Sequence, residues 1–129
     1  MYPSIPTVDV KTTSEMKERA DVCVLDVREQ WEYEVGHIPG VLHLPMSQIA
    51  NRMSDIPTDK TLIISCKSGQ RSGRVTNWLK HNGYEEVYNM QGGILAWNRA
   101  GYAVENADNE PAASDWLITY NMLTRQMMG

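Results

Sequence analysis

Two runs constrain this chain more than any other feature. Val22–Leu25 (VCVL) and the centre of Thr61–Ser65 (TLIIS) are apolar at successive positions, not at alternate ones. A strand with one wet face alternates apolar and polar residues. A strand apolar on both sides is covered on both faces, as parallel strands in an α/β layer are. Val87–Met90 (VYNM) is a weaker third run. Val41–Leu44 (VLHL), stopped by Pro45, is a fourth, and Thr7–Val10 can add an edge strand. Helical patterns fall between them. Thr13 or Ser14 is placed to cap a helix through Arg19, and Glu29 to start a short one. Ser72 is placed to cap a helix through Asn82, with Gly83 just past its end. Val75, Trp78 and Leu79 share one face of that helix. Ile94, Leu95, Trp97 and Ala100 mark a further helix ended near Gly101. The alternation predicts an α/β domain with a mainly parallel sheet. Such sheets place their sites beyond the carboxyl ends of the strands, where Asp26 and Cys66 fall.

Composition narrows the class. A chain of 129 residues with 42% hydrophobic and 22% charged residues suits one domain that needs no staples. A net charge of −4 argues against a nucleic-acid binder. Two cysteines, Cys23 and Cys66, make no disulfide framework. The first residues lack a cationic stretch followed by an apolar run, and no run of apolar residues is long enough for a membrane span. A cytoplasmic protein is expected. His37, His43 and His81 have no metal-ligand spacing with the cysteines, and Gly92-Gly93 lacks the spacing of a dinucleotide fingerprint. Neither a metal nor an organic cofactor is expected.

The segment that carries chemistry is Cys66-Lys67-Ser68-Gly69-Gln70-Arg71-Ser72. A cysteine ends a buried strand, a short loop follows, and a helix begins. Such a loop can curl its N–H groups around one point, at which the helix N-terminus also aims. Moving a cysteine about two units below its ordinary value near pH 8.5 takes about 2.7 kcal/mol. A helix N-terminus supplies roughly 0.3–1 kcal/mol, at most about 2. Lys67, Arg71 and the loop N–H groups must therefore contribute if Cys66 is the nucleophile. Between Lys60 and Tyr84 stand five cations, Lys60, Lys67, Arg71, Arg74 and Lys80, and no carboxylate. This gathering predicts a small anionic substrate. Cys23, inside an apolar run, is expected to be a small buried hydrophobe.

With its context, the segment resembles the rhodanese-homology family of sulfurtransferases over roughly residues 5–104. Leu25-Asp26-Val27-Arg28-Glu29, Trp31-Glu32-Tyr33 and Gly36-His37-Ile38-Pro39-Gly40 are similar to the family's N-terminal signature. Residues 66–72 are similar to its active loop, and Gly92-Gly93-Ile94-Leu95-Ala96-Trp97 with Gly101-Tyr102 to its closing signature. The resemblance implies a rhodanese-like five-stranded, mainly parallel sheet flanked by helices. Four residues separate Cys66 from Arg71. The similar loop of cysteine-dependent phosphatases has one more, so the resemblance implies persulfide chemistry on a smaller cradle. Cys66 would take a sulfane sulfur from thiosulfate or a persulfide donor and pass it to cyanide or to a thiol or protein acceptor. Lys67 and Arg71 would hold the donor's charge, while Ser68, Gly69, Gln70 and Ser72 form the cradle. Asp26 and Arg28 would order the site. Trp31 either walls the pocket or packs in the core, and His37 is expected to fix a turn. The rival from another class is a noncatalytic docking module that kept the fold.

Past the resemblance the chain changes character. Residues 1–104 are expected to form the domain, 105–113 (ENADNEPAA) an acidic linker, and 114–129 a helical tail. Trp116, Leu117, Tyr120, Leu123 and Met127 would form an apolar stripe, with Ile118, Met122 and Met128 widening it. A homodimer through this tail is favoured, because a helix outside the family core has no reserved groove on its own domain.

Overall fold

The computed structural model describes residues 4–128, and side chains up to Gln126. Met127 and Met128, expected on the apolar surface of the tail, thus lie outside the described side chains. Strands β1 (Thr7–Val8), β2 (Val22–Asp26), β3 (Leu42–His43), β4 (Thr61–Ser65) and β5 (Val87–Met90) form one sheet in the order β1-β5-β4-β2-β3. Every pairing is parallel. The helices are α1 (Val10–Met16), α2 (Gln30–Val35), α3 (Gln70–His81), α4 (Gly93–Arg99) and α5 (Trp116–Met128). Two short 3-10 turns cover Met46–Gln48 and Met53–Asp55.

The continuous apolar runs are explained by burial on both faces. Leu25, Leu62 and Ile64 pack against Val75 and Leu79 of α3 and against Leu44, Ile49 and Ile56. Their strand neighbours Val22, Val24 and Ile63 point the other way, onto Ile94 and Trp97 of α4 and Trp116 and Tyr120 of α5. Asp26 pairs in register with Ser65, so β2 and β4 end level and Cys66 emerges at their common carboxyl edge.

Several local expectations are corrected. Helix α1 starts at Val10, capped by Asp9, whose Oδ1 accepts the Thr12 N–H at 2.7 Å, and it stops at Met16. Thr13 is instead buried and turns its hydroxyl back to the Asp9 carbonyl. Ser72 caps nothing, because α3 already starts at Gln70 behind Gly69. Trp78 is 37% exposed although it follows the helical spacing of Val75 and Leu79. With Met46, Ile49, Ala50, Arg74 and Val75 it lines a cleft of about 320 Å³. The edge strand and β3 are each two residues long.

The segment after Val104 is not an open spacer. Glu105 bridges His37 on one side and Pro111 on the other. The Ala112 N–H reaches the Val104 carbonyl at 2.9 Å, and the Asn106 side chain accepts the Asp108 N–H at 2.9 Å inside the turn. This small hairpin delivers α5 onto its own domain, where Trp116 and Tyr120 are buried. The absence of a reserved groove, which favoured self-association, is therefore wrong. Gly36 makes the groove: a Cβ there would stand 2.6 Å from the Trp116 ring. Leu117 and Leu123 are half-buried, and Ile118 and Met122 face outward.

Candidate active site

Cys66 follows the last residue of β4 and is buried. The chain turns back through Lys67 and Ser68 to Gly69, whose φ of 101° lies in the left-handed region. That turn aims the Gly69 N–H at the Cys66 sulfur, 3.0 Å away. A side chain at Gly69 would be strained, and its Cβ would crowd the Gly92 nitrogen at 3.3 Å. One turn into α3, the Ser72 hydroxyl lies 3.2 Å from the same sulfur and 2.6 Å from Asn89 Oδ1. Asn89 Nδ2 donates to the Gly69 carbonyl at 3.1 Å, which leaves Oδ1 to face Ser72 as an acceptor. A hydroxyl has one proton. It donates to Asn89 while Cys66 is a thiol, and it can turn to the sulfur when Cys66 is a thiolate.

The back of the loop rests on α4. Its first N–H groups, from Ile94 and Leu95, reach the carbonyls of Cys66 and Lys67 at 2.9 and 3.2 Å. Gly93 allows this approach: its φ is 61°, and a Cβ would lie 2.2 Å from the Lys67 carbonyl oxygen. The Gly92-Gly93 pair thus belongs to loop support.

The charges at the loop differ from expectation. Lys60 precedes β4 and, with Asp59, Glu85 and Glu86, lines a cleft of about 460 Å³ around the strands' amino ends. Lys80 sits in the last turn of α3 and donates to the Glu85 carbonyl at 3.0 Å. Neither is beside Cys66, because a five-residue strand and a twelve-residue helix carry them away from the loop. Arg71 is beside it, yet already engaged: its two terminal nitrogens meet the two Glu32 oxygens at 2.7 and 2.8 Å. Glu32 also accepts the Glu29 N–H at 3.0 Å and the Tyr120 hydroxyl at 2.6 Å. Burial pushes the Glu32 carboxyl up. The hydrogen bonds from Arg71, Tyr120 and the Glu29 backbone, with the Arg71 charge, outweigh it and bring the group down to about 2. The hydrogen bond to Glu32 holds the Arg71 proton more firmly than usual, against its burial. The Lys67 ammonium stands 5.1 Å from the centroid of the Tyr120 ring and, among the described residues, has no salt-bridge partner.

Asp26 and Arg28 form a buried ion pair, with the Arg28 Nη2 to Asp26 Oδ2 distance 2.7 Å. Arg28 also donates to the carbonyls of Gly36, at 2.7 Å, and Glu32, at 3.4 Å. The pair ties the end of β2 to the middle and the C-terminal end of α2, and so steadies the helix that carries Glu32. His37 is buried in the turn after α2, its Nδ1 2.8 Å from the Tyr33 carbonyl and its ring stacked on Tyr33. Trp31 meets Tyr120 edge-on at 6.0 Å. Ser68 and Gln70 expose their side chains at the rim. Cys23 is half-buried within β2, and burial raises its thiol.

Sequence reasoning missed Glu32, Asn89, Gly93 and Tyr120 as parts of this assembly. Asn89 carried a signal, a polar residue inside the apolar run of β5. Glu32 carried another, a carboxylate in the block that precedes Arg71. Tyr120 carried none, since it stands 54 residues beyond Cys66 in what read as a separate tail.

A parallel five-stranded sheet flanked by helices defines the class. The rhodanese-like domain family matches residues 9–100, and the chain belongs to that family. It is 40% identical over 98 residues to a sulfurtransferase of Allochromatium vinosum, covering 75% of this chain and 92% of that protein. It is 36% identical over 93 residues to the thiosulfate sulfurtransferase GlpE of Pseudoalteromonas translucida, covering 72% and 89%. Among solved structures, a rhodanese-related protein from Thermoplasma volcanium superposes with a TM-score of 0.71 at 27% identity, covering 77% of this chain and 96% of that one. None of the helices among the described residues is long and apolar enough to cross a membrane.

Proposed function

We propose that the protein is a sulfurtransferase working through a Cys66 persulfide. The observation that carries this reading is the Gly69 N–H directed at the Cys66 sulfur at 3.0 Å, with the Ser72 hydroxyl 3.2 Å away on another side. Donors so placed stabilise a thiolate, and they can stabilise a negative charge that moves one atom outward. The Cys66 thiolate attacks the outer sulfur of thiosulfate. A new S–S bond forms, the old one breaks, and sulfite leaves with its electron pair. A second nucleophile, cyanide in the assay or a thiolate in the cell, then takes the outer sulfur and returns Cys66 as thiolate. No external oxidant or reductant enters either step. An acceptor thiol implies a reducing compartment, the cytoplasm.

Residues 1–104 carry this chemistry: Lys67 and the rim residues Ser68 and Gln70 meet the donor, Gly69 and Ser72 hold the sulfur, and Asp26 with Arg28 keeps α2 in place. One feature favours a persulfide donor over thiosulfate. Glu32 already balances Arg71, so the loop offers a dianion one uncompensated cation, Lys67, among the described residues. A noncatalytic docking role would leave the cradle around Cys66 without use.

The deciding experiment is a thiosulfate and cyanide assay on the wild type, Cys66→Ala and Cys23→Ser, with intact-mass detection of a one-sulfur adduct. Wild type and Cys23→Ser should form the adduct, and Cys66→Ala should not. Absence of an adduct in the wild type, with thiosulfate and with a low-molecular-weight persulfide, would establish the docking role instead.

A further inference from the structure

Helix α5 lies outside the stretch that matches the family, which ends at residue 100. It nevertheless reaches the candidate active site through one side chain. Tyr120 is fully buried, and its hydroxyl meets Glu32 Oε2 at 2.6 Å, the same oxygen that receives Arg71 at 2.8 Å. An ionised carboxylate only accepts, so Tyr120 donates. Two cations stand over its ring, Lys67 of the active loop at 5.1 Å and Arg28 at 5.5 Å from the centroid. Trp31 meets the ring edge-on and Trp116 stacks near it, which leaves the ring one orientation.

We infer that Tyr120 is a positioning residue of the Cys66 site, setting through Glu32 and Lys67 the charge that an anionic sulfur donor meets. For the nature of the donor, this rests on the sulfur-transfer reading above. The hydroxyl shares Glu32 Oε2 with Arg71, so it fixes the plane of the carboxylate and with it the direction of the guanidinium. The ring face limits where the Lys67 ammonium stands on its flexible stem. Neither contact reaches the Cys66 sulfur, whose partners are Gly69 and Ser72. Tyr120 should therefore govern donor affinity and leave the sulfur-transfer step alone.

The test uses the full chain and thiosulfate as probe. Tyr120→Phe removes the hydroxyl and keeps the ring. Tyr120→Leu removes both. Asn98→Ala perturbs the docking of the same helix by removing the 3.2 Å hydrogen bond from Trp116 Nε1, and its side chain bonds neither Tyr120, Glu32 nor Lys67. Tyr120→Phe should raise the thiosulfate KM by about three- to tenfold, the scale of one hydrogen bond, with kcat within about twofold. Tyr120→Leu should raise it further, and Asn98→Ala should lower the unfolding temperature without moving KM. The same weakening should appear by calorimetry in the Cys66→Ala background, where thiosulfate binds without turnover. The Glu32 carboxyl, followed by NMR, should titrate higher in Tyr120→Phe. It then faces Arg71 from α3 and the Glu29 N–H, with Arg28 and Lys67 near the ring. An unchanged KM and calorimetric affinity in Tyr120→Phe, with stability lost as in Asn98→Ala, would reduce α5 to a brace and overturn the proposal. Absence of thiosulfate binding in the Cys66→Ala chain would overturn it too. If Tyr120→Phe weakens that binding while the wild type forms no persulfide, the positioning role holds and the sulfur-transfer reading fails.

Discussion

The Glu32 carboxylate receives four hydrogen bonds, two from Arg71 and one each from Tyr120 and the Glu29 backbone. A carboxylate so held folds into its site charged, and the consequence is a defined acid sensitivity. Its folded value, about 2, lies below the ordinary 4.5. The stabilisation is therefore complete above 4.5 and drains away as pH falls from there towards 2. In urea titrations across that window the wild type should lose stability more steeply than Glu32→Gln, whose amide has no proton to gain. At neutral pH Glu32→Gln is the less stable of the two, because Arg71 loses its charge partner. Equal slopes for the two proteins would mean that the Glu32 network contributes nothing to folding.

At the scale of elements, the contact of α4 with the active loop is the joint that cannot be loosened. Two N–H groups of α4 meet two loop carbonyls, and Gly93 stands where any side chain would strike them. Gly83, after α3, has a φ of 95° and nothing within 4 Å of where its Cβ would be. The two glycines separate strain from crowding. Gly83→Ala should cost about 1 kcal/mol, from the left-handed backbone alone. Gly93→Ala should cost more, about 2–4 kcal/mol, since overpacking adds to strain. It should also slow persulfide formation, because the displaced carbonyls belong to Cys66 and Lys67. Thermal unfolding and adduct mass on both variants check this. Similar losses in the two would show that the loop absorbs the added methyl freely.

At the scale of the whole molecule, the tail belongs to the fold. Burying two large side chains, Trp116 and Tyr120, is worth about 3–6 kcal/mol at about 1.5–3 each. That is a large share of the roughly 5–15 kcal/mol that holds a domain together. Ending the chain after Val104 should therefore lower the denaturant midpoint markedly, and it should weaken thiosulfate binding as Glu32 and Arg28 become wet. A truncated chain with full stability and affinity would show α5 to be dispensable. Self-association through the tail now depends on Ile118 and Met122, the large apolar residues that α5 leaves exposed among the described side chains. Sedimentation at micromolar concentration of the wild type and Met122→Glu measures that remainder.

Much of this protein was legible without coordinates. Runs such as VCVL and TLIIS have no polar face, so they had to be covered on both sides, and parallel pairing with helices follows from that requirement alone. The cysteine at the end of a strand before a glycine-bearing loop was likewise local, because the strand, the turn and the helix start are written within ten residues. Tertiary structure decided the rest, wherever the partner is distant in the chain. Five cations close in sequence dispersed, because β4 and α3 carry Lys60 and Lys80 away from Cys66. Arg71, a free cation on paper, found Glu32 on α2, 39 positions earlier. Tyr120 found the same carboxylate from 88 positions later, across a groove that exists because Gly36 has no side chain. Periodicity records which face of an element is apolar, and it carries no information about which other element covers that face.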